Sequence, residues 1–375
     1  MRKEEIREYI IDLVLLAAAL IVGLTVLSKA NESYALPMNS FLFCILSILI
    51  AFFVNVIGHE LLHALGAKIG GYKVVSVNIL GLCFERKAKK PIRFSEFDGV
   101  TGETKIAPTS KEKKSLKPYV WCPLFGYAIE VATCITLITS IKENPESNAQ
   151  WLIVASILFI LISSMIAFYE LFPLKLDSIN DGYRLRLLSN PTNIEAYNQM
   201  LIIEDKLRNG ETIKSVKIYD EITEYTVSCN MYAIYFYLGN GDYAKAEEIV
   251  NILLKHKKIL SLQEYNRLIA QKLYIDILTK PLAEAKEIYK EIADTGIRRF
   301  IANDVSMPSI RAYILIAGMI EESQGEIKYA ISKISKAKKK SLQSEIKIEE
   351  KLVENAIEVV YKNHPNWEKE NVANK

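Results

Sequence analysis

Four long apolar runs, Tyr9 to Ser28, Phe41 to Ile57, Tyr119 to Ile141 and Trp151 to Phe172, fall in the first half of this 375-residue chain. A helix rises about 1.5 Å per residue, so each run has roughly the 17 to 25 residues that cross a hydrocarbon core. In lipid the backbone must satisfy its own hydrogen bonds, which leaves helices as the form for isolated runs of this length. The sequence therefore predicts an α-helical polytopic membrane protein with four transmembrane helices. The first run follows "MRKEEIREY" and is long for the apolar part of a signal peptide. It lacks a small-x-small cleavage site before "SYALP" and reads as a retained anchor.

Lysine and arginine set the expected orientation. Arg2, Lys3 and Arg7 precede the first run, and the loop from Lys68 to Lys117 carries twelve basic residues, among them Lys89, Lys90, Lys113 and Lys114. The other two loops are short, with Lys29 and Lys142 as their basic residues. Both termini are expected in the cytoplasm, with the plasma membrane as the surrounding bilayer. Topology accounts for the basic residues in a chain of net charge +3, and no groove-reading motif calls for a nucleic-acid partner. The five cysteines form no C-x-x-C pair and three stand inside apolar runs, so they read as reduced core thiols.

After Gly71, "YKVVSVNILGLCFERK" turns to branched and aromatic residues, and "GVTGETKIAP" follows with turn glycines. These read as short β-strands between the second and third spans. From about Thr192 the chain is soluble in character and helical in period. Three stretches, "YFYLGNGDYAKAEEIVNILLK", "LYIDILTKPLAEAKEIYKEI" and "YILIAGMIEESQGEIKYAISKISKA", each read as helix, tight turn, helix. Aligning Ala246, Ala285 and Ala330 gives an irregular period near 40, which resembles degenerate tetratricopeptide-type repeats. The expected division is a membrane domain over residues 1–190 and an all-α cytoplasmic domain over 191–375, the latter offering a surface to a protein partner.

The stretch "FVNVIGHELLHALGAKIGG" places His59, Glu60 and His63 where ionisable side chains are costly. On a helix, residues i and i+4 share a face, so both imidazoles can reach one metal at about 2.0 to 2.1 Å. In a His-Glu-x-x-His zinc site the glutamate does not bind the metal and instead moves the proton of the attacking water. A bound cation would offset the cost of burying the cluster. The chain has only four histidines, and the other two, His256 and His364, lie in the soluble half.

A catalytic zinc keeps three protein ligands and one open position. The fourth run ends in "YELFPLKLDSINDGYRL", where Asp177 and Asp181 are both available and Gly182 lets the backbone turn closely beside the second. Asn55 stands one turn before His59, placed either to meet a ligand or to bond across helices. Glu130 is a second intramembrane acid that can line the site, and Asp12 reads as interfacial. Gly58, Gly66, Gly70 and Gly71 read as packing glycines.

The sequence resembles the site-2 protease family of intramembrane zinc metallopeptidases over roughly Phe41 to Arg186. That family carries His-Glu-x-x-His in one core helix and an Asn-x-x-Pro segment leading to Asp-Gly in a later one. "HELLH", "FP" and "NDG" occur here in that order, and the segment after the histidines looks like the family's β-hairpin. The resemblance implies zinc held by His59, His63 and Asp181, the acid of the Asp-Gly pair, with Glu60 as catalytic base. Asp177 competes, because the spacing from Pro173 to Asp181 is longer than in the best-known members. Glu170 stands where the family has Asn, a departure that touches how substrate is held.

The expected function is a zinc endopeptidase cutting a membrane-protein or small peptide precursor within or near its transmembrane segment. A helix hides its scissile carbonyls, so cleavage requires local unwinding, and an exposed strand edge between Val74 and Phe84 is expected to catch the unwound segment. The alternatives are a catalytically silent zinc-binding scaffold acting through the helical domain and a processor of small exported peptides.

Overall fold

The computed structural model describes residues 10–11, 13–15, 17–18, 20–25, 28, 39–85, 91–94, 102–109, 114–144, 149–173, 180–339 and 341–367. The chain is mostly helical and divides into two compact units, Met1–Asn190 and Pro191–Lys375. Asp12 and Asp177 lie outside the described residues.

Three helices of the first unit are long and apolar enough to cross a membrane: α1 (Ser40–Ile69), α2 (Lys117–Glu143) and α3 (Trp151–Leu171). The first apolar run is described only in part and is helical where it is described. Helix α1 starts at an Asn39 cap, whose side chain accepts from the Phe41 and Leu42 amides, and continues for 30 residues. Its histidines therefore stand inside a helix about 45 Å long rather than past the end of one. Polarity on α1 is inverted relative to a helix in water. Ser47, Asn55, His59, Glu60 and His63 are buried, while Phe41, Leu49, Ile50, Phe53 and Val54 face outward. That distribution is compatible with membrane insertion, where apolar side chains meet lipid and polar ones turn inward.

Between α1 and α2 lies an antiparallel sheet of β1 (Tyr72–Ile79), β2 (Leu82–Glu85), β3 (Ile92–Phe94) and β4 (Gly102–Pro108), in the order β3-β2-β1-β4. Leu80 and Gly81 both take positive φ, the two-residue turn whose twist suits a hairpin. The expected open edge between Val74 and Phe84 is corrected by this order: β1 pairs on both sides with β2 and β4, and β2 pairs with β1 and β3. Among the described strands the edges are β3 and β4. A short helix, α4 (Asp181–Leu187), follows α3.

The second unit is all helical: α5 (Pro191–Arg208), α6 (Glu224–Gly239), α7 (Tyr243–Lys255), α8 (Leu262–Thr279), α9 (Leu282–Ile292), α10 (Arg298–Asn303), α11 (Met307–Leu315), α12 (Gln324–Ser332), α13 (Ile334–Lys338) and α14 (Gln343–Asn363). The three expected helix-turn-helix stretches correspond to α6/α7, α8/α9 and α11/α12. Thr223, Ser261 and Ser306 cap the first helix of each pair with a side-chain oxygen. Ala246, Ala285 and Ala330, on the second helices, are all fully buried where the pairs close on one another. One apolar cluster, from Ile222 to Tyr361, runs through the unit.

Candidate metal centre

His59 and His63 meet because α1 puts them one turn apart on its buried face. Their Nε2 atoms are 3.0 Å apart. Asp181 comes from the start of α4, and its Oδ2 lies 3.1 Å from His63 Nε2 and 3.7 Å from His59 Nε2. All three side chains are buried, and one donor atom from each lies within 4.8 Å of the others, so the group could hold a metal ion. Two ligand atoms at about 2.0 to 2.1 Å from a tetrahedral centre stand about 3.3 Å from each other. The three observed separations bracket that value.

The surroundings turn the right atoms inward. His63 Nδ1 lies 2.8 Å from the Tyr119 carbonyl, an acceptor only, so Nδ1 carries the proton and Nε2 presents a lone pair to the cluster. His59 Nδ1 stands 2.9 Å from the Tyr127 hydroxyl, a partner able to accept its proton or to donate to it. Arg184 donates to Asp181 Oδ1 at 3.2 Å. Asp181 Oδ2 is buried without a well-formed hydrogen bond and faces the two imidazoles. Burial pushes the Asp181 carboxyl up, but a protonated His63 and the Arg184 guanidinium outweigh it and hold it at about 2; a cation in place of the His63 proton would favour the carboxylate in the same way.

Asn180 sets where α4 begins. Its side chain caps the helix by accepting from the Tyr183 amide at 2.9 Å, and donates to the Tyr169 and Phe172 carbonyls at 2.7 and 2.6 Å. One residue thus ties the start of α4 to the exposed carbonyls that end α3. Gly182 was expected to give the backbone freedom to turn. Its φ is not positive; its role is closeness, because a Cβ there would overlap the Leu171 carbonyl. Glu170, in the position where the resemblance implied Asn, accepts from the Asp181 amide at 3.4 Å.

Glu60 does not join the three donors. Thr104 on β4 donates to its Oε2 at 2.6 Å, and Gly102 on the same strand leaves it room, since a Cβ there would stand 2.7 Å from Glu60 Oε1. The Tyr119 hydroxyl donates to the Thr104 carbonyl at 2.9 Å, and the Arg184 guanidinium lies 5.5 Å over the Tyr119 ring. The strand, α2 and α4 are thereby joined around the site.

A cavity of about 440 Å3 opens beside His59, with Val54, Gly58, Leu62, Pro123 and Gly126 in its wall. Asn55 and Glu130 line it too. Asn55 Nδ2 donates to Glu130 Oε1 and to Ser163 Oγ, each at 3.1 Å, so of its two expected roles the structure displays the bond across helices.

The structure thus brings His59, His63 and Asp181 together with Glu60 alongside. Sequence reasoning missed Thr104, Tyr119, Tyr127, Arg184 and Asn180. Of these, Arg184 alone carried a local signal, three residues after Asp181 on a helix. No family model, curated protein or solved structure matches the chain.

Proposed function

We propose that this protein is a membrane-embedded zinc endopeptidase of the site-2 protease type, cutting a membrane-protein or small peptide precursor within or near its transmembrane segment. The observation that carries the reading is a buried pair of imidazoles and a carboxylate at metal-ligand separations, with a glutamate held beside them by a strand. Two borderline imidazole nitrogens and one hard carboxylate oxygen make a donor set that zinc accepts, with His59, His63 and Asp181 as ligands. Zinc bound there would polarise the scissile carbonyl and acidify a water. Glu60 accepts a proton from the attacking water and delivers it to the leaving amine nitrogen as the C–N bond breaks. Thr104 orients the Glu60 carboxylate for both transfers.

The site's depth follows from α1. His59 is nineteen residues after Ser40, about 28 Å along the helix at about 1.5 Å per residue, close to the full thickness of a hydrocarbon core. With both termini in the cytoplasm, the site opens near the cytoplasmic face, where water and an unwound substrate can meet. Substrate is held by β4: it is an edge strand among those described, and a chain added along it passes Glu60. Glu170 already serves the Asp181 amide, so the role of the family's Asn in holding substrate backbone falls to the strand. The second unit, with its tetratricopeptide-like helix pairs, offers a protein-contact surface.

Metal content and proteolysis of purified variants test the reading together. His59→Ala should lose zinc and activity, whereas Glu60→Gln should keep zinc and lose activity. Comparing the proteomes of membranes bearing wild-type and Glu60→Gln protein identifies the substrate. If the two proteomes were identical and zinc were retained, the chain would be a zinc-binding scaffold.

A further inference from the structure

Helix α2, which packs against α1, carries a buried proline in its interior at Pro123. Proline has no N–H, and its ring crowds the carbonyl four residues back. In α2 that carbonyl belongs to Tyr119, so the helix supplies it no amide from position 123. A buried carbonyl released in this way needs a donor from elsewhere in the protein. His63 on α1 is that donor, with Nδ1 2.8 Å from the Tyr119 oxygen.

The two helices are built to bring these atoms together. Three residues beyond His63, Gly66 lies so near α2 that a Cβ there would stand 2.1 Å from the Pro118 oxygen and 2.9 Å from the Tyr119 Cα. The Tyr119 ring packs on the His63 ring with centroids 4.6 Å apart, and its hydroxyl is tied to the Thr104 carbonyl on β4. Tyr119 is therefore held at both ends of its side chain while its main chain meets the histidine. In an unbroken helix a carbonyl is directed along the axis to the amide four residues on. An N–H at position 123 would compete for the Tyr119 oxygen from within the same helix, whereas His63 has to reach it from another.

A metal-bound imidazole gives one ring nitrogen to the cation and donates the N–H of the other to an acceptor, which fixes both the tautomer and the rotation of the ring. We infer that Pro123 is a positioning residue for the metal centre: by withholding an N–H it leaves the Tyr119 carbonyl to His63 Nδ1, and so turns His63 Nε2 toward His59 and Asp181. The inference rests on the reading of His59, His63 and Asp181 as zinc ligands. Pro123 does not touch the metal; it acts through one carbonyl and one imidazole.

The test exchanges a single N–H. Full-length protein in detergent is compared with Pro123→Ala and with a form in which lactic acid, the hydroxy acid bearing alanine's side chain, stands at position 123 as a backbone ester. Both forms lose the proline ring, and only Pro123→Ala gains an N–H. Zinc affinity, read by titration against a competing chelator, should fall about 10- to 100-fold in Pro123→Ala and stay within about threefold of wild type in the ester form. A role confined to packing would move the two forms together. Pro123→Gly and its glycolic-acid counterpart repeat the comparison without a side chain and should split in the same way. Equal losses in the amide and ester forms overturn the inference, as does wild-type affinity in Pro123→Ala, and either result leaves the zinc site standing. Absence of zinc binding by the wild-type protein removes the zinc site itself, and the positioning role with it.

Discussion

The Thr104 hydroxyl donates to Glu60 Oε2 across 2.6 Å, from an edge strand to the acid of the His-Glu-x-x-His helix. Two residues earlier on the strand, Gly102 leaves the space that Glu60 Oε1 fills. The strand thus acts on Glu60 by a bond and by a gap, and α1 alone sets neither. A carboxylate accepting one short, charged hydrogen bond keeps its second oxygen available for a proton from water.

Replacing Thr104 by Val keeps the shape of the side chain and removes the donor. A hydrogen bond to a charged group contributes about 1.5 to 3 kcal/mol, which corresponds to roughly 10- to 100-fold in rate if it is made in the transition state. Thr104→Val should therefore lower kcat on the identified substrate by that factor and leave zinc content unchanged, while Thr104→Ser stays near wild type. Zinc lost together with activity would mean that the strand supports the ligands rather than the base.

The elements governed by local period were legible in the sequence. The apolar runs became α1, α2 and α3, the two histidines fell on one buried face, and the three alanines marked buried positions of the helix pairs. Thr104 was not legible, because it meets Glu60 across 44 residues and neither residue's neighbours change with the pairing. The strand order shared that difficulty: Val74 to Phe84 read as an edge until β4 paired with β1 on its open side. For Asp181 the glycine beside it was noticed for flexibility, while the residue that places it is Asn180, through carbonyls that only the end of α3 presents.

Topology is tested by reporter fusions at Asn148 and Lys375. If α3 crosses the membrane, these points lie on opposite sides of it, and the basic loop before α2 assigns Lys375 to the cytoplasmic side in the proposed topology. Alkaline phosphatase and fluorescent-protein fusions should give reciprocal signals; the same side for both would remove α3, the one span between these points, and overturn the four-helix topology.

The second unit has its own apolar cluster, from Ile222 to Tyr361, so a Pro191–Lys375 fragment should be soluble and should unfold cooperatively in urea. Within it Asp304 accepts from Arg267 at 3.2 Å and from Ser309 at 2.7 Å. Burial pushes the Asp304 carboxyl up, and the bonds from Arg267, Ser306 and Ser309 outweigh it, so its pKa lies below the ordinary value. A depressed folded pKa adds stability that is fully present above the unfolded value, about 3.9, and is lost as pH falls through the folded one. Asp304→Asn should cost about 1 to 2 kcal/mol at pH 7. The gap between variant and wild type should narrow below pH 4 in urea titrations followed by circular dichroism, and a constant gap would show that packing, not charge, is what the substitution removes.

The placement of Asp181 can be tested without touching a donor atom. Its carboxylate reaches the histidines because α4 starts hard against the end of α3, and the tightest point of that approach is Gly182 under the Leu171 carbonyl. The carbonyl belongs to a helix end and cannot rotate away as a side chain would, so an added Cβ has to push α4 outward. A shift of even 1 Å takes Oδ2 out of reach of a metal held at about 2.0 to 2.2 Å by the two imidazoles. Gly182→Ala should therefore weaken zinc binding nearly as much as Asp181→Ala, whereas Asp177→Ala leaves it close to wild type. Titration against a competing chelator reads all three variants. Wild-type affinity in Gly182→Ala together with a large loss in Asp177→Ala would move the third ligand to Asp177.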